Sequence, residues 1–224
     1  LDIPAAYYIA RYEAKPEDLA GNVSKLFMAK QIQCAQCHNH PYEKEIKQTD
    51  FWAMAAFFSR TRATPVRDGK IVIGTEIYDR PRGDVYIPDK DPKTPIQPKF
   101  ITGETIDNNF LTKRRVELAK LITSPKNPYF AKNIVNRMWD HFTGRGIVDP
   151  VDDLSKVPTH PELLDFLTQD FINHNYNLKY LIKIIANSKT YQLTSQSTGE
   201  NEKDHEYYTH AYLRPLSAEE LFYS

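Results

Sequence analysis

Asp50-Phe51-Trp52-Ala53-Met54-Ala55-Ala56-Phe57-Phe58-Ser59 is the stretch on which the fold turns. Phe51 to Phe58 are apolar without a break, so a helix here has no polar side to show water, and such a helix is buried. Thr49 stands where a cap is wanted. Burying one helix on all sides requires others around it. Upstream, Pro16 to Lys30 opens on Glu17 and Asp18, which suit the positive end of a helix. It repeats Leu19, Val23, Leu26 and Phe27 at helical spacing.

Downstream the pattern changes. Arg67-Asp68-Gly69-Lys70 signals a turn ahead of Ile71-Val72-Ile73, and Val85-Tyr86-Ile87 is a second short apolar run. Pro81, Pro88, Pro92, Pro95 and Pro98 break anything longer. This predicts a small hairpin and then an extended, proline-rich connection. From residue 111 helices return. One carries Leu111, Val116, Leu118, Ala119 and Ile122; another follows Asn127-Pro128, a cap and first-turn pair, and stops near Gly144-Arg145-Gly146. Thr159-His160-Pro161-Glu162 reads as a capping box, with Thr159 as cap. Leu178 to Ile185 is a further helix, and Ser217-Ala218-Glu219-Glu220 opens one that Ser224 cuts short. The expected architecture is mainly α-helical with a small β-hairpin and a long proline-rich connection. Its parts are 1–62, 63–110 and 111–224.

Lysine plus arginine and aspartate plus glutamate both number 29, giving no basic excess for nucleic acid to attract. No run approaches the length of a membrane span. The start, Leu1-Asp2-Ile3-Pro4, has neither Met nor a signal-peptide pattern, and predicts a processed piece whose targeting signal lies upstream. Fourteen tyrosines and eleven phenylalanines suit a flat cofactor or an ordinary core equally.

The two cysteines of the chain fall in Cys34-Ala35-Gln36-Cys37-His38. Thiols three positions apart can each add to one vinyl group of a single haem, and the histidine that follows then faces the iron. The spacing is the sign of c-type haem attachment, with His38 as proximal ligand. Haem c is therefore the expected cofactor and, because such attachment happens outside the cytoplasm, an extracytoplasmic compartment comes with it. A mono-haem electron carrier with a redox partner protein is the leading reading. A haem enzyme or small-ligand binder with an open axial position stands beside it. A thiol–disulfide centre, a small disulfide loop and a zinc site of Cys34, Cys37, His38 and His40 are the rivals.

The distal ligand is open between His160, His141, Met54, Met138, Met28 and none at all. Methionines at such positions also serve as core. Asp149, Asp152, Asp153, His160, Glu162 and Asp165 are dense enough to raise a hard-cation site, or to be loop hydrogen-bonding groups. Arg60, Arg62 and Arg137 suit haem propionates or protein carboxylates.

Several long blocks together resemble the secreted planctomycete proteins built from paired domains of unknown function, numbered 1549 and 1553. The first is matched by residues 33–41, from Gln33 to Pro41, with Phe51-Trp52 and Ala55-Ala56-Phe57-Phe58. The second is matched by 124–131, Asn136-Arg137-Met138-Trp139, 144–153, 160–165 and 187–192. The resemblance implies an exported, cytochrome-associated protein without a settled activity. It also implies that this chain holds the tail of the first domain and the front of the second.

Overall fold

The computed structural model describes residues 4–88, 90, 93–213 and 215–223. Leu1, Asp2, Ile3, Pro92 and Ser224 lie outside the described residues. The chain forms two compact units, Leu1–Asn127 and Pro128–Ser224. The fold is mainly helical with one small antiparallel hairpin.

In the first unit, α1 (Pro4–Arg11) precedes α2 (Pro16–Met28), a 3₁₀ turn (Gln33–Gln36) and α3 (Gln48–Ala56). The core is α3. Every residue from Phe51 to Phe58 is buried, as an apolar run with no polar side demands. Helix α2 packs against it, burying Leu19, Ala20, Val23 and Met28. Its end comes two residues before Lys30, because Ala29 turns left-handed at φ 48° and the amides of Ala29 and Lys30 close on Lys25 and Ser24 carbonyls. Thr49 is not the cap of α3. The helix starts earlier, and the Asp50 carboxylate accepts the Lys47 amide at 2.8 Å. Helix α1, which the sequence pattern did not reveal, packs against the hairpin.

That hairpin pairs β1 (Thr61–Asp68) with β2 (Ile71–Asp79), from Thr61↔Asp79 to Asp68↔Ile71. The expected turn at Gly69 is present, with φ +58° at the position where a two-residue turn wants glycine. The partner of Ile71-Val72-Ile73 is the segment just before that turn. It contains Pro65, which a strand without an outer neighbour tolerates. Val85 instead makes an isolated bridge to Ile96.

The proline-rich stretch is packed down, not strung free: Val85, Ile87 and Phe100 are buried. Two buried arginines fasten it to the end of α3. Arg114 donates to the Ala56 and Gly83 carbonyls at 2.9 and 3.0 Å and to Ser59 Oγ at 2.5 Å. Arg60 donates to the Asn109 and Thr112 carbonyls at 2.9 and 3.1 Å. Burial and the neighbouring Arg60 push the Arg114 pKa down. A buried guanidinium is tolerated because carbonyls replace its water. Helix α4 (Arg114–Ile122) completes the unit, and Asn127 Nδ2 caps its last turn through the Ile122 carbonyl at 2.7 Å.

In the second unit, α5 (Phe130–Thr143), α6 (Pro161–Asn173) and α7 (Leu178–Ala186) pack together, and a short α8 (Ala218–Tyr223) follows. Val135, Trp139, Leu164, Leu167, Phe171, Leu181 and Ile185 meet in the core with Ile147 and Val148. Asn127 does not cap α5, which begins later, at Phe130. Gly144 ends α5 at φ +86°. The fully buried Asn136 then acts as a surrogate strand: its Oδ1 accepts the Val148 amide and its Nδ2 donates to the Val148 carbonyl, both at 2.8 Å. Gly146 permits this approach, since a Cβ there would lie 2.5 Å from the Val148 oxygen. The capping box at Thr159 does not form. Thr159 is drawn to the Ile147 carbonyl, and His160 stands at the cap position ahead of Pro161. No helix among the described residues is long and apolar enough to cross a membrane.

Candidate functional site

The Cys34–His38 loop rests between α2 and α3. It enters through the 3₁₀ turn, and Gln33 crosses so close to α2 that a Cβ on Gly21 would lie 2.7 Å from its side chain. It leaves onto the start of α3. Gln48 Nε2 donates to the Gln36 and Cys37 carbonyls at 3.1 and 3.0 Å, and Trp52 Nε1 donates to the same Gln36 carbonyl at 3.0 Å. Asn39 Oδ1 accepts the Gln48 amide at 3.1 Å. The Gln36 and Cys37 carbonyls are thus held by side chains from α3, and Ala35 is buried, while Cys34, Cys37 and His38 are exposed.

Cys34 and Cys37 are exposed and not joined to each other. His38 is exposed too, with Nδ1 2.7 Å from the Asn39 carbonyl. A carbonyl only accepts, so Nδ1 carries a proton, and in the neutral ring Nε2 has the lone pair. Two accessible thiols and an imidazole oriented through its inner nitrogen are the donor set a c-type haem requires. The chemistry of these residues fits that group.

His40, two residues on, is built for something else. It is buried; its Nδ1 accepts the Glu43 and Tyr42 amides at 2.9 and 3.3 Å, and Nε2 lies 3.1 Å from the Gln31 carbonyl. A nitrogen accepting two amides is unprotonated, so Nε2–H donates to Gln31. Both ring nitrogens are spent on the backbone. Behind it Lys30 and Glu43 form an ion pair with both side chains largely buried. Gathering Cys34, Cys37, His38 and His40 on zinc would dismantle this staple. Among the described residues no three His, Cys, Asp or Glu side chains are grouped to hold a metal ion.

The distal candidates are dispersed. Met54 and Met28 are sealed in the core of the first unit, at 1% and 0% exposure. His141, His160 and Met138 belong to the second unit, where His141 lies edge-on to Phe142 and His160 lies against Tyr207 and Tyr208. The acidic cluster is spent locally. Asp149 faces Arg145 at 3.6 Å, Asp165 pairs with Lys132 at 2.6 Å, and Asp153 accepts Ser155 Oγ and its amide. Arg62 donates to the Ser59 and Thr61 carbonyls, and Arg137 to Asn133 Oδ1. Carbonyls and amides therefore take the bonds described for Arg60, Arg62 and Arg137.

Gln48 and Trp52 are the functional-site residues that sequence reasoning passed over. Their spacing of four on one helix places them on a shared face, with the motif eleven to sixteen residues upstream. That was the available sign.

Two family models match the chain. A protein of unknown function (DUF1549), under the name PSCyt2, matches residues 7–63, and a protein of unknown function (DUF1553), under the name PSD1, matches residues 114–223. The motif loop falls in the first match, the Asn136–Val148 lock falls in the second, and 64–113 lie outside both. No curated protein and no solved structure matches the chain significantly. The chain thus matches both domain models, 1549 and 1553, the pair linked to the planctomycete cytochrome-like family.

Proposed function

We propose that this chain is the mono-haem c-type module of a larger exported redox protein, carrying single electrons to or from a redox partner protein. The observation that carries the reading is the contrast within one loop: Cys34, Cys37 and His38 are presented outward, while the adjoining His40 is consumed in holding the loop. The two sulfurs would bind the haem edge through thioethers and His38 Nε2 would take the iron. Bound there, haem c supplies one-electron oxidation and reduction. The chain's own part is mechanical. Gln48 and Trp52 fix the loop carbonyls, and the Asn39 carbonyl fixes the His38 ring, so the imidazole is oriented before iron arrives. In this reading 63–110 is the connection between the two family domains, and the protein works outside the cytoplasm.

The test is a potentiometric titration of the full chain expressed with haem-attachment machinery. A reversible spectral change following a one-electron curve is expected. A haem-loaded chain that rapidly binds carbon monoxide would favour the ligand-binding alternative. A chain without haem but with stoichiometric zinc would replace the redox reading altogether.

A further inference from the structure

The second unit contains a half-open cavity of about 260 Å³ between the end of α5, the turn at 190–191 and the segment 208–212. Its walls are aromatic: Phe142, Tyr191, Tyr208 and Tyr212, with His210 beside them. Among its described lining residues none is lysine or arginine. Neighbouring rings stand nearly at right angles, Phe142 to Tyr191 at 77° and His210 to Tyr212 at 84°, with centroids 5.9 and 5.5 Å apart. Rings set at right angles around one space line it from several directions.

We propose that this cavity binds a small organic cation of the methylated-ammonium class. A cation over aromatic faces is held by their quadrupoles, and the attraction grows when water is excluded. The space is below the range used for drug-sized ligands, which suits a choline-sized group. Among the described residues, Tyr212 lies in the field of the Asp204 and Glu206 carboxylates and of the Arg145 guanidinium, which also faces Asp149 at 3.6 Å. Desolvation works against the charge on Asp204, but the Thr209 hydroxyl and the Glu206, Tyr207 and Thr209 amides outweigh it and keep the carboxylate ionised.

The wall is held in place at a cost, as binding sites often are. Tyr208 adopts φ +56°, a left-handed conformation that a bulky residue keeps only when its surroundings enforce it. Here they do: its hydroxyl donates to the Arg145 carbonyl at 3.0 Å, and its amide donates to Tyr212 Oη at 3.3 Å. Three amides converging on Asp204 fold the turn that carries it. His210 Nδ1 is buried with no hydrogen-bond partner among the described residues.

The full chain is titrated with choline and with its uncharged carbon isostere dimethylbutanol, following amide NMR shifts of 190–191 and 208–212. Choline is expected to bind about tenfold more tightly than the isostere, the ratio of a desolvated cation to a neutral group of equal shape. Tyr191→Leu, at a partly exposed position, keeps the apolar bulk and removes the ring. It should lower choline affinity about fivefold while thermal unfolding shifts only by the loss of the Phe142 ring contact. Equal binding of the two ligands, no binding of either, or an unaltered affinity in Tyr191→Leu would each overturn the proposal.

Discussion

Cys34–His38 and His40–Ile46 are separated by one residue, and each carries a histidine, yet they do opposite work. The first turns its thiols and imidazole outward and lets α3 hold its backbone. The second turns His40 inward and uses both ring nitrogens to hold backbone, over the buried Lys30–Glu43 pair. Residue type does not distinguish His38 from His40. What separates them is which backbone groups need partners: the tight 40–43 turn leaves the Tyr42 and Glu43 amides beside the unprotonated His40 Nδ1, which takes both. Two histidines in one motif therefore have different partners: one is exposed and the other is bound to backbone through both nitrogens.

The largest expected effect falls on the outward stretch and spares stability. Replacing Cys34 and Cys37 by serine should abolish covalent haem, read as loss of the added mass. The unfolding free energy of the haem-free chain should move by no more than about 0.5 kcal/mol, as for other exposed positions. The inward stretch should behave in reverse. Glu43→Ala removes the carboxylate paired with the largely buried Lys30 ammonium and is expected to cost about 3 kcal/mol, measured by the denaturant midpoint. His40→Ala removes the acceptor for two amides and the donor for Gln31, with an expected cost of about 2 kcal/mol. Gln48→Ala releases the Cys37 carbonyl and leaves the Gln36 carbonyl to Trp52 alone, so about 1 kcal/mol is expected. Hydrogen exchange should then quicken around residues 34–39. Stability losses at Cys34 and Cys37 equal to that at His40 would erase the distinction.

The legible parts of the sequence were those where a single physical effect outweighs its competitors. The Phe51–Phe58 run declared a buried helix because nothing in it favours water, and Gly69 and Gly144 declared their turns through the backbone freedom they supply. Caps are less legible, because a side chain able to cap one helix can bond other backbone groups instead. Thr49 lost to Asp50, Thr159 was drawn away by the Ile147 carbonyl, and Asn127 caps the helix before it. Strand pairing was hidden for a similar reason. Val85-Tyr86-Ile87 is more apolar than Thr61–Asp68, but adjacency across the Gly69 turn outweighs composition. At the site, the spacing of Cys34, Cys37 and His38 was plain, while the hold exerted by Gln48 and Trp52 depends on where α3 begins. The hairpin tip shows the limit of apolar pattern as a sign of burial: Ile71, Val72 and Ile73 are all exposed.

Intact-mass spectrometry of the chain produced with the haem-attachment machinery, paired with a reduced pyridine-haemochrome spectrum, reaches the matter directly. The mass should exceed that of the polypeptide by one haem that survives denaturation, with the spectrum of two thioether links. A colourless product at the polypeptide mass, with Cys34 and Cys37 still open to thiol reagents, would contradict the outward half of the loop as a haem anchor.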